Sequence, residues 1–240
     1  MEWGFFTPAH IISLAAAALI IIGLYWILKN KSPKVQIWVL LPLSCSGIAA
    51  IVFNLLRWGS PLSYLPLHLC SLNALVLPMA VLTRNKTLSN LLLVWCLGAL
   101  VAVVANFEMA ETKLFGEAFC FYYFPHVFEF GIPLLLFKLG LVKKDARCIV
   151  STLGITMLIY TFVHFCNKII NTCSDVGANY MFSLEATNPL TALFYRVIPY
   201  EYWYMYLAVP IVAVYLLIVY APELLGWYRN RKKTRQTATV

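Results

Sequence analysis

Charge is what this sequence has least of. Asp, Glu, Lys and Arg make up 12% of 240 residues while 62% are hydrophobic, against about 25% charged in soluble domains. That excludes a water-soluble globular domain, and no stretch outside the apolar segments is long enough for a separate one. Acidic residues are the scarcer sign, 10 against 18 basic, a net charge of +8. The surplus does not point to nucleic acid, because the basic residues sit beside the ends of hydrophobic segments, where they set membrane orientation. Metal-type spacing is missing too. Seven cysteines (Cys45, Cys70, Cys96, Cys120, Cys148, Cys166 and Cys173) form no CxxC or Cys/His zinc spacing, and most lie in apolar runs as small buried hydrophobes. With no HExxH either, neither a metal nor a cofactor is expected. No basic region precedes the first apolar run, Ile11 to Leu28, and Lys29, Lys31 and Lys34 follow it. This predicts a span with a stop-transfer flank instead of a cleaved leader.

What is present is seven apolar segments: His10–Leu28, Ile37–Leu56, Tyr64–Leu82, Leu88–Ala105, Phe119–Leu141, Cys148–Asn167 and Trp203–Tyr220. Each approaches the roughly 20 residues a helix needs to cross a bilayer, and open strands cannot satisfy their backbone in lipid. The expected fold is all-α, a polytopic bundle of about seven transmembrane helices over residues 1–228, with a basic tail at 229–240. Loops are short apart from Lys168 to Tyr202. Fourteen basic residues fall on one side: Lys29, Lys31, Lys34, Arg84, Lys86, Lys138, Lys143, Lys144, Arg147, Arg229, Arg231, Lys232, Lys233 and Arg235. Four fall on the other: Arg57, Lys113, Lys168 and Arg196. The positive-inside rule then puts the N-terminus outside and the C-terminus in the cytoplasm of a multi-pass protein of the cell membrane. The tail reads as a cytoplasmic anchor beside anionic lipid.

Against this background the stretch PLSYLPLHLCSLN (Pro61–Asn73) stands out, because it sets His68, Cys70, Ser71 and Asn73 among leucines. Ionisable residues at membrane depth usually face a bundle interior or wet cavity and mark function. The topology puts His126 and Glu129 in the outer half of segment five, His164 and Asn167 near the outer end of segment six, and His10 at the start of segment one. Asn54 and Arg57 close segment two at that face, and Asn106 closes segment four. All four histidines thus share one depth zone. His126 and Glu129 lie three apart on one helix face, as do His164 and Asn167, His68 and Ser71, and Cys70 and Asn73. His68 and Cys70, two apart, point to opposite sides of an ideal helix, although Pro66 is placed to loosen that turn. His68 and His126 are candidate acid–base groups. Glu129 is expected to orient or charge-pair His126 or Arg57, and Cys70 is a nucleophile only if a base lies near it. Asn73, His164, Asn167 and Arg57 are candidates for substrate contact. Interhelical hydrogen bonding is the plainer role for the asparagines. The runs FCFYYF and YEYWYMY read first as interfacial aromatic belts.

On these residues the chain resembles the YwaF-like family of bacterial integral membrane proteins, from about Leu65 to Pro210. The likeness rests on LPLHLC (Leu65–Cys70), on the histidine of FPHVFEF (His126) and on NYMF (Asn179–Phe182), with a weaker aromatic echo at Pro199–Tyr204. It implies that His68, Cys70, His126, Asn179 and Tyr180 are signature positions, with Asn179 and Tyr180 joining the candidates for substrate contact. That family is in turn distantly similar to a eukaryotic transmembrane acyltransferase group acting on ether phospholipids. That group places its reactive cysteine directly before the third-span histidine, where this chain has Leu67. The resemblance therefore carries over His68 and no nucleophile, unless Cys70 substitutes one turn on. The link NTCSDVGANYM is longer than the family's usual one.

Three readings follow. An enzyme would carry out lipid-ester acyl transfer or hydrolysis with His68 or His126 as general base and membrane lipids as its partners. A transporter would use His126 and Glu129 as a proton-coupled site, but inverted repeats and paired broken helices are lacking. An assembly protein would use the polar residues only to lock the bundle. The one-sided cluster favours the enzyme, while substrate and oligomeric state have no signature here.

Overall fold

The computed structural model describes residues 2–57, 60–105 and 112–237. It is a polytopic helix bundle, with six helical segments among the described residues long and apolar enough to cross a membrane, plus a shorter apolar one. Helix α1 (Pro8–Leu28) starts with proline after Thr7, whose Oγ1 accepts from the His10 N–H at 3.3 Å. The second span is two helices, α2 (Pro33–Ser44) and α3 (Ser46–Arg57), broken at Cys45 just after the internal Pro42. There the hydroxyls of Ser44 and Ser46 take up the carbonyls of Leu41 and Leu43, at 2.6 and 2.8 Å. Such hydroxyls re-satisfy backbone that a proline frees in lipid.

The third span departs from expectation. Its helix α4 is Leu69–Thr83, not a helix from Tyr64. A 3-10 turn at Pro61–Ser63 and an irregular stretch to His68 come first. The cause is local: Pro66 has no N–H to donate and biases Leu65 away from helix. Fifteen residues of helix reach only about 22 Å, so irregular chain completes the crossing. Such chain survives at membrane depth only where protein buries it or it lines a cavity.

Helix α5 (Lys86–Ala105) returns, and α6 (Phe124–Lys138) follows a π-helical turn at Phe119–Tyr123. Helix α7 (Cys148–Cys173) runs six residues past the expected end at Asn167. The long link after it holds a 3-10 turn at Tyr180–Phe182 and a short helix α8 (Pro189–Val197), which the sequence reading missed although Asn188 and Thr191 form a capping box there. A 3-10 turn at Trp203–Leu207 leads into α9 (Ala208–Thr237), so the expected end at Tyr220 is overrun by helix into the basic tail.

Burial sorts these helices. The apolar windows of α5 and of the α6 segment are 61% buried, those of α1, α7 and α9 only 17%. Helices α4, α5 and α6 therefore form the centre, and residues such as Leu19, Trp26, Leu158, Phe162, Leu217 and Ile218 face outward, as lipid contact requires. At one end of the bundle, Tyr220 of α9 donates to Asn90 Oδ1 of α5, which also accepts from the Asp145 N–H at 3.2 Å. Asp145 pairs with Lys86 and, at 3.1 Å, with Arg147. At the opposite end, His10 Nε2 meets the Val103 carbonyl at 2.9 Å, and Glu2–Trp3 pairs with Thr112–Lys113 as a two-residue antiparallel clip.

Candidate functional site

The irregular chain before α4 is held by the NYMF turn. Tyr180 Oη donates to the Leu62 carbonyl and accepts from the Leu65 N–H at 3.0 Å, so the two motifs of the resemblance touch. The turn is clamped from α7. Asn167 receives the Tyr180 N–H at 3.0 Å and gives its amide to the Tyr180 carbonyl at 2.8 Å and to Ser183 Oγ at 2.9 Å. Asn171 brackets Ala178 in the same way, at 2.6 and 2.9 Å. Met181 and Phe182 both have φ of 54°, a left-handed conformation that costs a side-chain-bearing residue on the order of 1 kcal/mol or more.

That turn delivers one backbone donor. The Met181 N–H reaches His68 Nδ1 at 3.3 Å. An Nδ1 that accepts carries no proton in the neutral ring, so the hydrogen resides on Nε2. Rings of Tyr180 and Phe182 pack around the imidazole at 5.3 and 5.6 Å. His68 is the N-cap of α4 and not a residue within it. The ideal-helix expectation that it points away from Cys70 therefore fails: both line one cavity.

The second histidine has the opposite arrangement. Phe124 N–H bonds back to the Phe119 carbonyl in π register, and Pro125 has no N–H. The Tyr122 carbonyl takes His126 Nδ1 at 2.6 Å. A carbonyl only accepts, so this ring holds its proton on Nδ1 and leaves Nε2 as a lone pair when neutral. Glu129 Oε2 lies 3.9 Å from that Nε2. Neither atom, nor Asn73 Oδ1, has a hydrogen-bond partner among the described residues. Asn73 Nδ2 donates to the Glu129 carbonyl at 3.0 Å, tying α4 to α6. Gly47 of α3 makes room for the carboxylate: a Cβ there would overlap Glu129 Oε1 and come within 2.6 Å of the Ala74 Cβ.

His68, Cys70, His126, Glu129 and Tyr180 all border a cavity of about 700 Å³, within the range of small-molecule and lipid pockets. Asn54 and Ser71 join the wall, and the rest is mostly apolar. Asn73, His164, Asn167, Asn179 and Arg57 are not on it. His164 Nδ1 meets Ser183 Oγ at 3.2 Å, and Asn179 caps the next turn by accepting from Leu184 and Glu185 at 3.1 and 3.2 Å. Arg57 pairs with Glu117 at 3.8 Å and Glu129 with His126, so the expected pairing of Glu129 falls to the histidine. Near the end of α7, Lys168 bonds Glu201 at 2.7 Å and holds that carboxyl, which lies outside the spans, below the usual range. Among the described residues, no three His, Cys, Asp or Glu groups are placed to hold a metal. Asn106 lies outside the described residues.

The residues that sequence reasoning missed act through backbone or through absence: Met181 N–H, Tyr122 carbonyl and Gly47. Only Pro125 and the glycine leave a trace in the sequence. A family model described as the TMEM164 family matches residues 5–220. No curated protein and no solved structure matches the chain.

Proposed function

The chain belongs to the TMEM164 family, and within it we propose a membrane-embedded enzyme that transfers acyl groups between lipid esters. The observation that carries the reading is the opposed pair of imidazoles on one apolar cavity: a lone pair at His126 Nε2 and an N–H at His68 Nε2. Acyl transfer needs both, a base for the attacking group and a donor for the oxygen that becomes negative.

In the proposed step the attacking O–H or S–H loses its proton to His126 Nε2 as the new bond forms at the ester carbonyl carbon. The carbonyl oxygen gains the electron pair and is met by His68 Nε2–H. Helix α4 adds donors from its first turn, which receives no capping bond from the His68 side chain and whose N–H groups lack intrahelical carbonyls. When the intermediate collapses, the C–O bond to the departing alcohol breaks and His126 returns the proton to it. Glu129, one turn along α6, steadies the imidazolium between these events. Cys70, on the same wall, is the candidate first acceptor; a thioester there would then pass to a second lipid alcohol. The apolar wall keeps water scarce and favours transfer over hydrolysis. The distant similarity of the YwaF-like family to the acyltransferase group supports the reading at His68 and supplies no nucleophile. The polar network of Asn90, Asp145 and Tyr220 closing the far end supports a site instead of a conduit.

The test is purified protein in lipid nanodiscs, given an isotope-labelled diacyl phospholipid and a lysophospholipid, with products read by mass spectrometry. Labelled acyl chain should appear on the acceptor, and His126→Ala should slow its appearance by about 10²–10⁴. A trapped acyl adduct on Cys70 marks the two-step route, and full activity in Cys70→Ala marks direct transfer. No exchange and no hydrolysis by the wild-type protein overturns the proposal.

A further inference from the structure

We propose that the deep part of the cavity is a channel for one acyl chain, and that Gly98 sets how far the chain reaches. This rests on the acyl-transfer reading for its reason, but not for its test. Helix direction orders the wall by depth. Asn54, Ala102, Tyr160 and Ala208 stand level with the histidine end. Gly47, Val94, Leu153 and Val212 stand deeper on the same helices. From Ala102 to Val94 the wall extends about 12 Å along α5 at a helical rise of roughly 1.5 Å per residue. Apart from Glu129 beside Gly47 and Thr156, whose hydroxyl is taken up by Trp95 Nε1 at 3.0 Å, the deep lining is apolar. A ligand with one polar end and a hydrocarbon body fits that gradient in one direction only, with its ester between His68 and His126 and its chain along α5.

Glycine 98 is the second observation. It lies inside α5, where glycine is unfavourable relative to alanine, so something should require it. At Gly47 packing does, since a Cβ would overlap Glu129 and Ala74. At Gly98 packing does not: an added Cβ would meet only Leu69 Cδ2, at 3.8 Å, an ordinary contact. What the missing side chain leaves is cavity, midway between Val94 and Ala102 on the lining face. A methyl fits there, whereas a branched side chain projects into the channel.

The experiment is photolabelling of the full chain in nanodiscs with a diacyl phospholipid bearing a diazirine at the end of one chain, mapped by peptide mass spectrometry. Label is expected on α5 around Val94–Gly98 and on Val209–Val212 of α9. Gly98→Ala should label like wild type and unfold at a higher temperature, while Gly98→Leu should cut that label by about tenfold and restore it for a shorter-chain probe. Label confined to the outward faces of α1, α7 and α9 overturns the channel. Equal labelling of Gly98→Leu by long and short probes overturns the role of Gly98. Interior label without acyl exchange keeps the channel and discards only the transfer chemistry.

Discussion

The N–H of Met181 reaches Nδ1 of His68 at 3.3 Å, across 113 residues of sequence. One hydrogen bond thus decides which nitrogen of a candidate catalytic ring carries a proton, and the α7 clamp on the NYMF turn decides whether that bond is made.

Nitrogen NMR of histidine-labelled protein should therefore show neutral His68 as the Nε2–H form and neutral His126 as the Nδ1–H form. Asn167→Ala removes three bonds to the turn and is expected to cost about 1–3 kcal/mol. It should mix the His68 tautomers while leaving His126 unchanged. Met181→Gly keeps the N–H and relieves the 54° φ but empties a buried side-chain site, so it should preserve the tautomer while lowering stability. Identical His68 spectra in Asn167→Ala and wild type would remove the clamp from the mechanism.

Glu129→Gln keeps shape and loses charge. It should fold normally and lower acyl transfer by roughly tenfold, because the charge 3.9 Å from His126 Nε2 no longer favours the imidazolium. Glu129→Leu should also lower the unfolding temperature in detergent, because Gly47 and Ala74 leave room for a flat carboxylate and not for a branched side chain. Full activity in Glu129→Gln would leave Glu129 a structural residue.

Gly47→Ala and Gly98→Ala should part company in thermal unfolding. The first meets Glu129 and the Ala74 Cβ and should lose about 1–3 kcal/mol. The second meets no close atom and should gain up to about 1 kcal/mol. Equal shifts would contradict the packing at Gly47.

At the network end, Arg147 and Lys86 hold the Asp145 carboxyl well below the usual carboxylate range. A group whose folded pKa is lowered stabilises above its unfolded value, about 4, and loses that contribution as pH falls toward its folded one. Asp145→Asn should therefore lower the unfolding temperature near neutrality. The gap to wild type should narrow only below about pH 4. A gap independent of pH would mean that packing, not charge, is lost.

Topology follows from the distribution of Lys and Arg. A reporter fused after Arg235 should behave as cytoplasmic, and one in the 174–188 link as external. The reverse labelling would move the cavity's histidine end to the other leaflet.

Composition alone decided the solvent, since a chain 12% charged and 62% hydrophobic has its favourable burial in lipid. Segment length then decided helices, and period and position brought His126 and Glu129 to one face. These are local properties, carried by residues within a few turns of one another. The tautomers, the shared wall of His68 and Cys70, and the pairing of Arg57 with Glu117 were decided by tertiary structure. Each depends on which backbone groups the helical ladders leave over, and on what distant chain meets them. Pro66 lies in the non-helical chain that leads into His68, Pro125 withholds an N–H before His126, and two non-glycine residues accept left-handed backbone to present one donor. A strained turn of that kind has no local preference to announce it, because its cost is met by the hydrogen bonds of Asn167, Asn171 and Tyr180, which exist only once α7 has packed.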